Sequence, residues 1–315
     1  MTALPQPDPT PRAATGAHAA GARARLAPPH LHDVVSADGT RLRAWDNGAE
    51  GPTVVLCNGL GTSAYAWPTL LDPDCGVRVV SWMHRGVGGS DRPREKHRAG
   101  IDTFVEDALA VMEAYGVERA PFLGWSMGVN TMFELALHHP EKVAGLFAVA
   151  GVPGRTFSTM LRPLGLPPLA NEAITTTAAR GAKLAGPLLN TVTTRVPVGP
   201  RTAGLLARTG FMLPGADPDA VARAVRDFLT TPVDWYMHLA LHTHRHQRVP
   251  LSRIDVPAVF VAGSWDILAG AKDMRSAAER MKEADYHEFR ASHFVQMEHA
   301  EAVHALLLDF VERVG

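Results

Sequence analysis

The sequence predicts an α/β protein with a mostly parallel, doubly wound sheet and an inserted α-helical cap. Three observations carry this. Short apolar runs alternate with amphipathic helical stretches through the first half of the chain, the alternation then stops between about Gly151 and Arg248, and it resumes up to the C-terminus. Strand and helix in alternation imply a parallel sheet with right-handed crossovers. A helical segment placed between two parts of one sheet reads as a cap rather than a linker.

Each element follows in order. Met1–Pro29 is rich in Ala, Pro, Gly and Arg and lacks the apolar centre of a secretory signal, so a disordered extension is expected. His32–Ser36 and Arg41–Asp46 flank Ala37-Asp38-Gly39-Thr40, a hairpin pattern with a Gly-containing turn. Thr53–Cys57, Val77–Trp82, Ala120–Leu123 and Val143–Ala150 are continuous apolar runs, as in strands buried on both faces. Ile101–Tyr115 and Met127–His138 show helical periodicity between them. From Gly151 to Arg248 no strand pattern is present, Pro and Gly are frequent, and short Leu/Ala-rich helical stretches are expected. One helix should start after Asp217-Pro218, an N-cap residue followed by Pro, and another near Asp234. Alternation returns with a strand over Ala258–Ala262, a helix over Ala271–Lys282, a strand near Tyr286–Phe289 and a helix over Ala300–Val314. The expected boundaries are an extension over 1–29, a core over 30–150 and 249–315, and a cap over 151–248.

Composition narrows the partners. The 315 residues are 46% hydrophobic and 20% charged, with 31 Lys and Arg against 32 Asp and Glu. A formal charge of −1 gives no reason to expect nucleic acid or an acidic membrane surface as the main partner. The two cysteines, Cys57 and Cys75, are too few for a disulfide framework, and Cys57 reads as a reduced, half-buried thiol. No apolar run approaches the about 18–20 residues of a membrane span. A cytoplasmic protein without an integral membrane segment is expected.

The chemistry concentrates at four turns. Gly124-Trp125-Ser126-Met127-Gly128 follows a strand and opens a helix. A sharp turn there exposes the serine, and only small residues fit where strand and helix approach. The Met127 N–H, at the helix N-terminus, is then aimed at an incoming carbonyl oxygen. Asn58-Gly59-Leu60-Gly61 follows an earlier strand and offers the Leu60 N–H as a second oxyanion donor. Asp266 lies in the turn into which a buried strand runs, and His293 lies in a loop after the next strand. An imidazole takes the serine proton near neutrality and returns it to the leaving group, while a buried carboxylate fixes its tautomer. In an open parallel sheet, ligands bind at the C-terminal edge of the strands, where both residues are expected. Asp255 precedes its strand and Asp273 lies within a helix, so Asp266 is preferred as the acid.

These residues together resemble the α/β-hydrolase superfamily, whose triad runs in the chain order Ser, Asp, His. Asn58–Gly61 is similar to its oxyanion loop, His84-Arg85-Gly86-Val87-Gly88-Gly89-Ser90 to the turn after its fourth strand, Gly124–Gly128 to its elbow, Gly263–Asp266 to its acid loop and Ser292–Phe294 to its histidine loop. Two positions depart from the pattern: Asn58 stands where His is usual and Met83 where Asp is usual. Serine at the elbow argues against epoxide hydrolases and haloalkane dehalogenases, whose nucleophile is a carboxylate. The resemblance implies hydrolysis of a small to medium lipophilic carboxylic ester or lactone through an acyl-enzyme, without cofactor or metal. Ser126 would be the nucleophile, His293 the base and Asp266 the orienting acid. Asn58, Trp125, Trp265 and Phe294 are the candidates for lining the substrate pocket. The alternatives are C–C bond hydrolysis, thioester hydrolysis or cofactor-free perhydrolysis by the same triad, or a receptor-like member with little turnover; oligomeric state is open.

Two features are discounted. Trp235–His246 places His238 and His242 on one helical face, but no carboxylate accompanies them in a metalloprotease pattern. A cap helix packed on the core is expected there, with one His near the pocket. Leu161–Leu169 reads equally as a lid over an apolar substrate or as plain cap packing.

Overall fold

The structure is a computed structural model and describes residues 26–154, 156–160, 167–193, 195–209 and 211–315. Among the described residues eight strands, from β1 (His30–Val35) to β8 (Ala284–Phe289), form one sheet in the order β1-β2-β4-β3-β5-β6-β7-β8. β1 (His30–Val35) and β2 (Arg41–Asp46) form the expected hairpin, with Gly39 at φ 81° and the Thr40 N–H bonded to Asp38. β2 runs antiparallel to β4 (Arg78–Trp82). β3 (Thr53–Cys57), β5 (Ala120–Trp125), β6 (Val143–Val149), β7 (Ala258–Gly263) and β8 (Ala284–Phe289) are parallel, with β4 paired in parallel to β3.

Alternate strand residues serve opposite layers, as a two-sided sheet requires. Val55, Cys57, Phe122 and Phe260 pack beneath α1 (Ile101–Ala114), α2 (Met127–His138) and α8 (Ala271–Ala278). Val54, Leu56, Leu123 and Phe147 pack on the other face, against Trp67, Leu70 and α9 (Ala300–Val314). Cys57 is therefore fully buried, not half-buried, and burial pushes its thiol pKa up. Ahead of β1 the Ala27 N–H donates to the Leu71 carbonyl at 2.9 Å. Residues 1–25 lie outside the described residues.

A buried ion cluster fixes the hairpin to the first helix. Arg85 is wholly enclosed and donates to Asp107 on α1, to Ser36 at 3.0 Å and to Asp38 of the hairpin turn. Removing one partner from such a set leaves an uncompensated buried charge, at a cost of about 3–5 kcal/mol.

Between β6 and β7 the described residues hold helices and no strand: α3 (Thr156–Thr159), α4 (Pro168–Thr193), α5 (Pro200–Thr209), α6 (Pro218–Leu229) and α7 (Val233–Thr243). α6 begins as its sequence predicts, with the Asp217 carboxylate accepting the Asp219 N–H at 3.1 Å. α4 differs from expectation. Gly181, Gly186 and Pro187 favour short pieces, yet the helix runs for 26 residues. Packing on α7 overrides those weak local preferences. Gly186 lies so close to Asp234 that a Cβ would come within 2.5 Å of it, and Asn190 bonds both the Asp234 carboxylate and the Val233 N–H. Leu161–Leu166 of the lid-like stretch lie outside the described residues. No described helix is long and apolar enough to cross a membrane.

Candidate active site

Ser126 sits between β5 and α2 with φ 54° and ψ −117°, a conformation costly for any residue with a Cβ. Its surroundings leave no other path for the chain. A Cβ on Gly128 would fall 1.7 Å from the Cys57 carbonyl oxygen, and one on Gly124 would fall 2.6 Å from the Met132 sulfur. The helix can therefore start directly against β3 only because these two positions carry no side chain. The strained turn lifts the serine hydroxyl above the C-terminal edge of the sheet, where it is half-buried.

Asp266 and His293 reach the same point from the turns that follow β7 and β8. The His293 Nε2 lies 2.8 Å from Ser126 Oγ, and its Nδ1 lies 2.8 Å from Asp266 Oδ2. Acceptance of the serine proton at Nε2 requires the Nδ1–H tautomer, which the aspartate selects. The other aspartate oxygen accepts the Leu268 and Ala269 N–H groups at 2.7 and 2.8 Å, so the carboxylate is held in one orientation. Both His293 and Asp266 are buried. Their loops touch backbone to backbone: Trp265 N–H donates to the Ala291 carbonyl, and a Cβ on Gly263 would strike the Ser292 carbonyl at 2.2 Å.

The two candidate oxyanion donors face no competing partner. Among the described residues the Leu60 N–H meets no acceptor, and Met127, the first residue of α2, has no helical carbonyl behind it. The side chains of Leu60 and Met127 both enter one apolar cluster with Phe157, Trp235 and Leu239 of the helical segment. α7 thus rests directly on the Leu60 turn. A Cβ on Gly61 would meet Tyr236 at 2.9 Å, and Trp235 Nε1 donates to the Arg85 carbonyl at 2.7 Å. Burial pushes the Tyr236 phenol up to about 12, so it stays protonated across the neutral range.

The four residues expected to line the pocket divide. Phe294 is half-buried between the His293 ring and Phe211 of the helical segment, with ring centroids 5.8 and 5.3 Å away. Trp265 is 60% exposed beside Asp266, on the rim. Asn58 and Trp125 are buried and occupied elsewhere, which corrects the expectation for both. The Asn58 amide donates to the Ser63 carbonyl and its oxygen accepts from Gly59 N–H and Trp67 Nε1, so it braces the turn that carries Leu60 from behind. Trp125 Nε1 donates to the His293 carbonyl at 3.0 Å, and its ring packs behind the histidine.

Glu298 escaped the sequence reading. Its buried carboxylate accepts the Ser292 N–H (2.7 Å), the Ser292 hydroxyl (2.5 Å) and the Leu213 N–H (2.7 Å), tying the loop that carries His293 to the helical segment. Its signal in the sequence is no more than an acid five residues after the histidine, between Met297 and His299. The histidines of α7 serve packing. His238 stacks on Trp235, faces Lys183 Nζ at 2.8 Å and meets the Lys96 carbonyl at 2.6 Å, while burial lowers its pKa.

A serine on a strand-to-helix elbow, backed by His and Asp from later strands of a doubly wound sheet, defines an α/β hydrolase fold. The family description "alpha/beta hydrolase fold" matches residues 52–300, and the chain belongs to that family. Epoxide hydrolase B of Mycobacterium tuberculosis (strain ATCC 25618 / H37Rv) is 31% identical over 143 residues, which is 40% of this chain and 40% of that protein. The match thus spans about two fifths of the length of that curated relative. The enol-lactonase from Burkholderia xenovorans LB400 superposes with a TM-score of 0.66 at 24% identity, covering 89% of this chain and all of that one. The esterase RhEst1 from Rhodococcus sp. ECU1013 gives 0.66 at 21% identity, with 90% and 99% covered. At such identities the two structures show a shared fold.

Proposed function

We propose that this protein hydrolyses a small to medium lipophilic carboxylic ester or lactone through an acyl-enzyme on Ser126. The observation that carries the reading is the hydrogen-bonded array Ser126–His293–Asp266, with both links at 2.8 Å. His293 Nε2 takes the proton as Ser126 Oγ attacks the acyl carbon. The resulting oxyanion meets the Leu60 and Met127 N–H groups, aligned before the reaction. Collapse breaks the bond to the leaving oxygen, which takes the proton from His293. Water then repeats the sequence, its proton passing to His293 and on to Ser126 as the acid departs.

The apolar contacts of the helical segment with Leu60, Met127 and Phe294 favour a lipophilic acyl or alcohol group. The two similar structures are an enol-lactonase and an esterase, which agrees with an acyl substrate. The test is pre-steady-state hydrolysis of p-nitrophenyl acetate, butyrate and octanoate by the wild type and Ser126→Ala. One burst equivalent per chain is expected in the wild type and none in the variant, and the preferred chain length sizes the pocket. Absence of turnover in the wild type would sink the esterase reading and leave C–C cleavage or ligand binding to be examined.

A further inference from the structure

The inner side of α4 is taken up by α7, but its outer side is unpartnered and apolar. Leu184, Leu188 and Val192 follow each other at four-residue steps, and Leu184 and Leu188 are 84% and 73% exposed. Large exposed apolar side chains on a soluble surface ordinarily occur singly, so a row of them marks an interaction face. Most of the large exposed hydrophobics among the described residues lie between Leu169 and Leu205.

The charges of the same region have one sign. Among described residues 167–209 every exposed charged side chain is an arginine: Arg180, Arg195, Arg201 and Arg208. Over 151–248 the sequence holds eleven Lys and Arg against five Asp and Glu, although the whole chain has a formal charge of −1. The overall balance conceals a basic helical segment on an acidic core.

We propose that the outer face of α4 seats the protein on an anionic lipid surface. Leucines that enter the acyl boundary, flanked by arginines that pair with phosphate groups, are the combination such a surface recognises. The row from Leu184 to Val192 spans about 12 Å of a strip about 10 Å wide, far below the about 800 Å² per partner of a stable protein interface. A second copy is therefore the poorer occupant. The helix lies on the membrane and does not cross it. The face belongs to the segment that rests on the Leu60 turn, so seating would bring the site to a phase where lipophilic esters collect.

The experiment is co-sedimentation of the full chain with vesicles of phosphatidylcholine alone and of phosphatidylcholine mixed with phosphatidylglycerol. The wild type should sediment with the mixed vesicles, more weakly with the neutral ones, and less as salt is raised. Leu184→Ser combined with Leu188→Ser should lower partitioning by about tenfold for each leucine. Arg180→Gln combined with Arg195→Gln should remove the preference for phosphatidylglycerol. Both variants should keep the wild-type thermal midpoint and rate on soluble p-nitrophenyl butyrate without vesicles. Binding is read apart from turnover, so a failed esterase reading leaves this test intact. Wild type that stays in the supernatant, or a double serine variant that sediments like wild type, overturns the proposal. So does a wild-type dimer in the ultracentrifuge that the serine variant lacks, because the face would then join two copies.

Discussion

Replacing Glu298 tests whether the histidine is positioned from the helical segment. In Glu298→Gln the size is kept, and the amide oxygen can hold the Ser292 hydroxyl and the Leu213 N–H. The amide nitrogen then faces the Ser292 N–H, donor against donor. One lost bond to a charged acceptor and one stranded buried donor amount to about 2–4 kcal/mol. Glu298→Ala strands all three donors, and its loss should be larger. His293 follows Ser292 directly, so a shifted Ser292 shifts the imidazole. A displacement of about 1 Å costs about 100-fold in rate. Urea unfolding gives the stability change, and burst kinetics on p-nitrophenyl butyrate give acylation and KM separately. The expected result is slowed acylation with KM little changed, and partial recovery in Glu298→Asp. Lost stability with acylation at the wild-type rate would refute the positioning argument, since Glu298 would then hold the loop without aiming the base.

Gly128→Ala should abolish soluble, active protein, because its Cβ would lie 1.7 Å from the Cys57 carbonyl; an active, soluble variant on expression would show that the elbow can open. His84 is buried, and desolvation lowers its pKa from 6.5 to about 4. The unfolded chain therefore binds a proton between these values that the folded chain refuses, so stability is full above pH 6.5 and falls by about 3 kcal/mol by pH 4. Urea titrations of wild type and His84→Leu across that range should differ in slope, and parallel curves would remove His84 as the cause.

The parts of the fold that were legible in the sequence are those fixed by local signals. Apolar runs such as Thr53–Cys57 have no polar face to hide, so they announce strands covered on both sides. The elbow was legible because Gly124 and Gly128 are demanded by contacts within a few residues of the serine or with the adjacent strand. Residues whose partners are remote in sequence were not legible. Trp125 flanks Ser126 as a pocket residue would, yet the His293 carbonyl, 168 residues away, claims its indole; the partners of Asn58, Ser63 and Trp67, are nearer, but no local motif marks them. Glu298 has no local motif, since its third partner, Leu213, lies 85 residues away. The full length of α4 was masked by Gly186 and Pro187, whose cost is met by contact with Asp234. Net charge likewise carries no positional information, since a sum over the chain discards where the charges lie.

The likeness to an epoxide hydrolase covers scaffold, while the side chain at position 126 decides the chemistry. An epoxide carbon attacked by a carboxylate becomes an ester, and water can then attack its carbonyl and free the enzyme. If Ser126 Oγ attacked the same carbon, the C–O bond of the ring would break and His293 would return its proton to the alkoxide. The product would be an alkyl ether of serine. An ether has no carbonyl for water to attack and no oxyanion for the Leu60 and Met127 amides to stabilise, so the cycle would stop after one event. Incubation with styrene oxide should therefore yield no diol above the uncatalysed rate, and intact-mass analysis should find at most one alkyl adduct per chain, absent from Ser126→Ala. Sustained diol formation that depends on Ser126 would refute the assignment of an acyl carbon as the atom this site attacks.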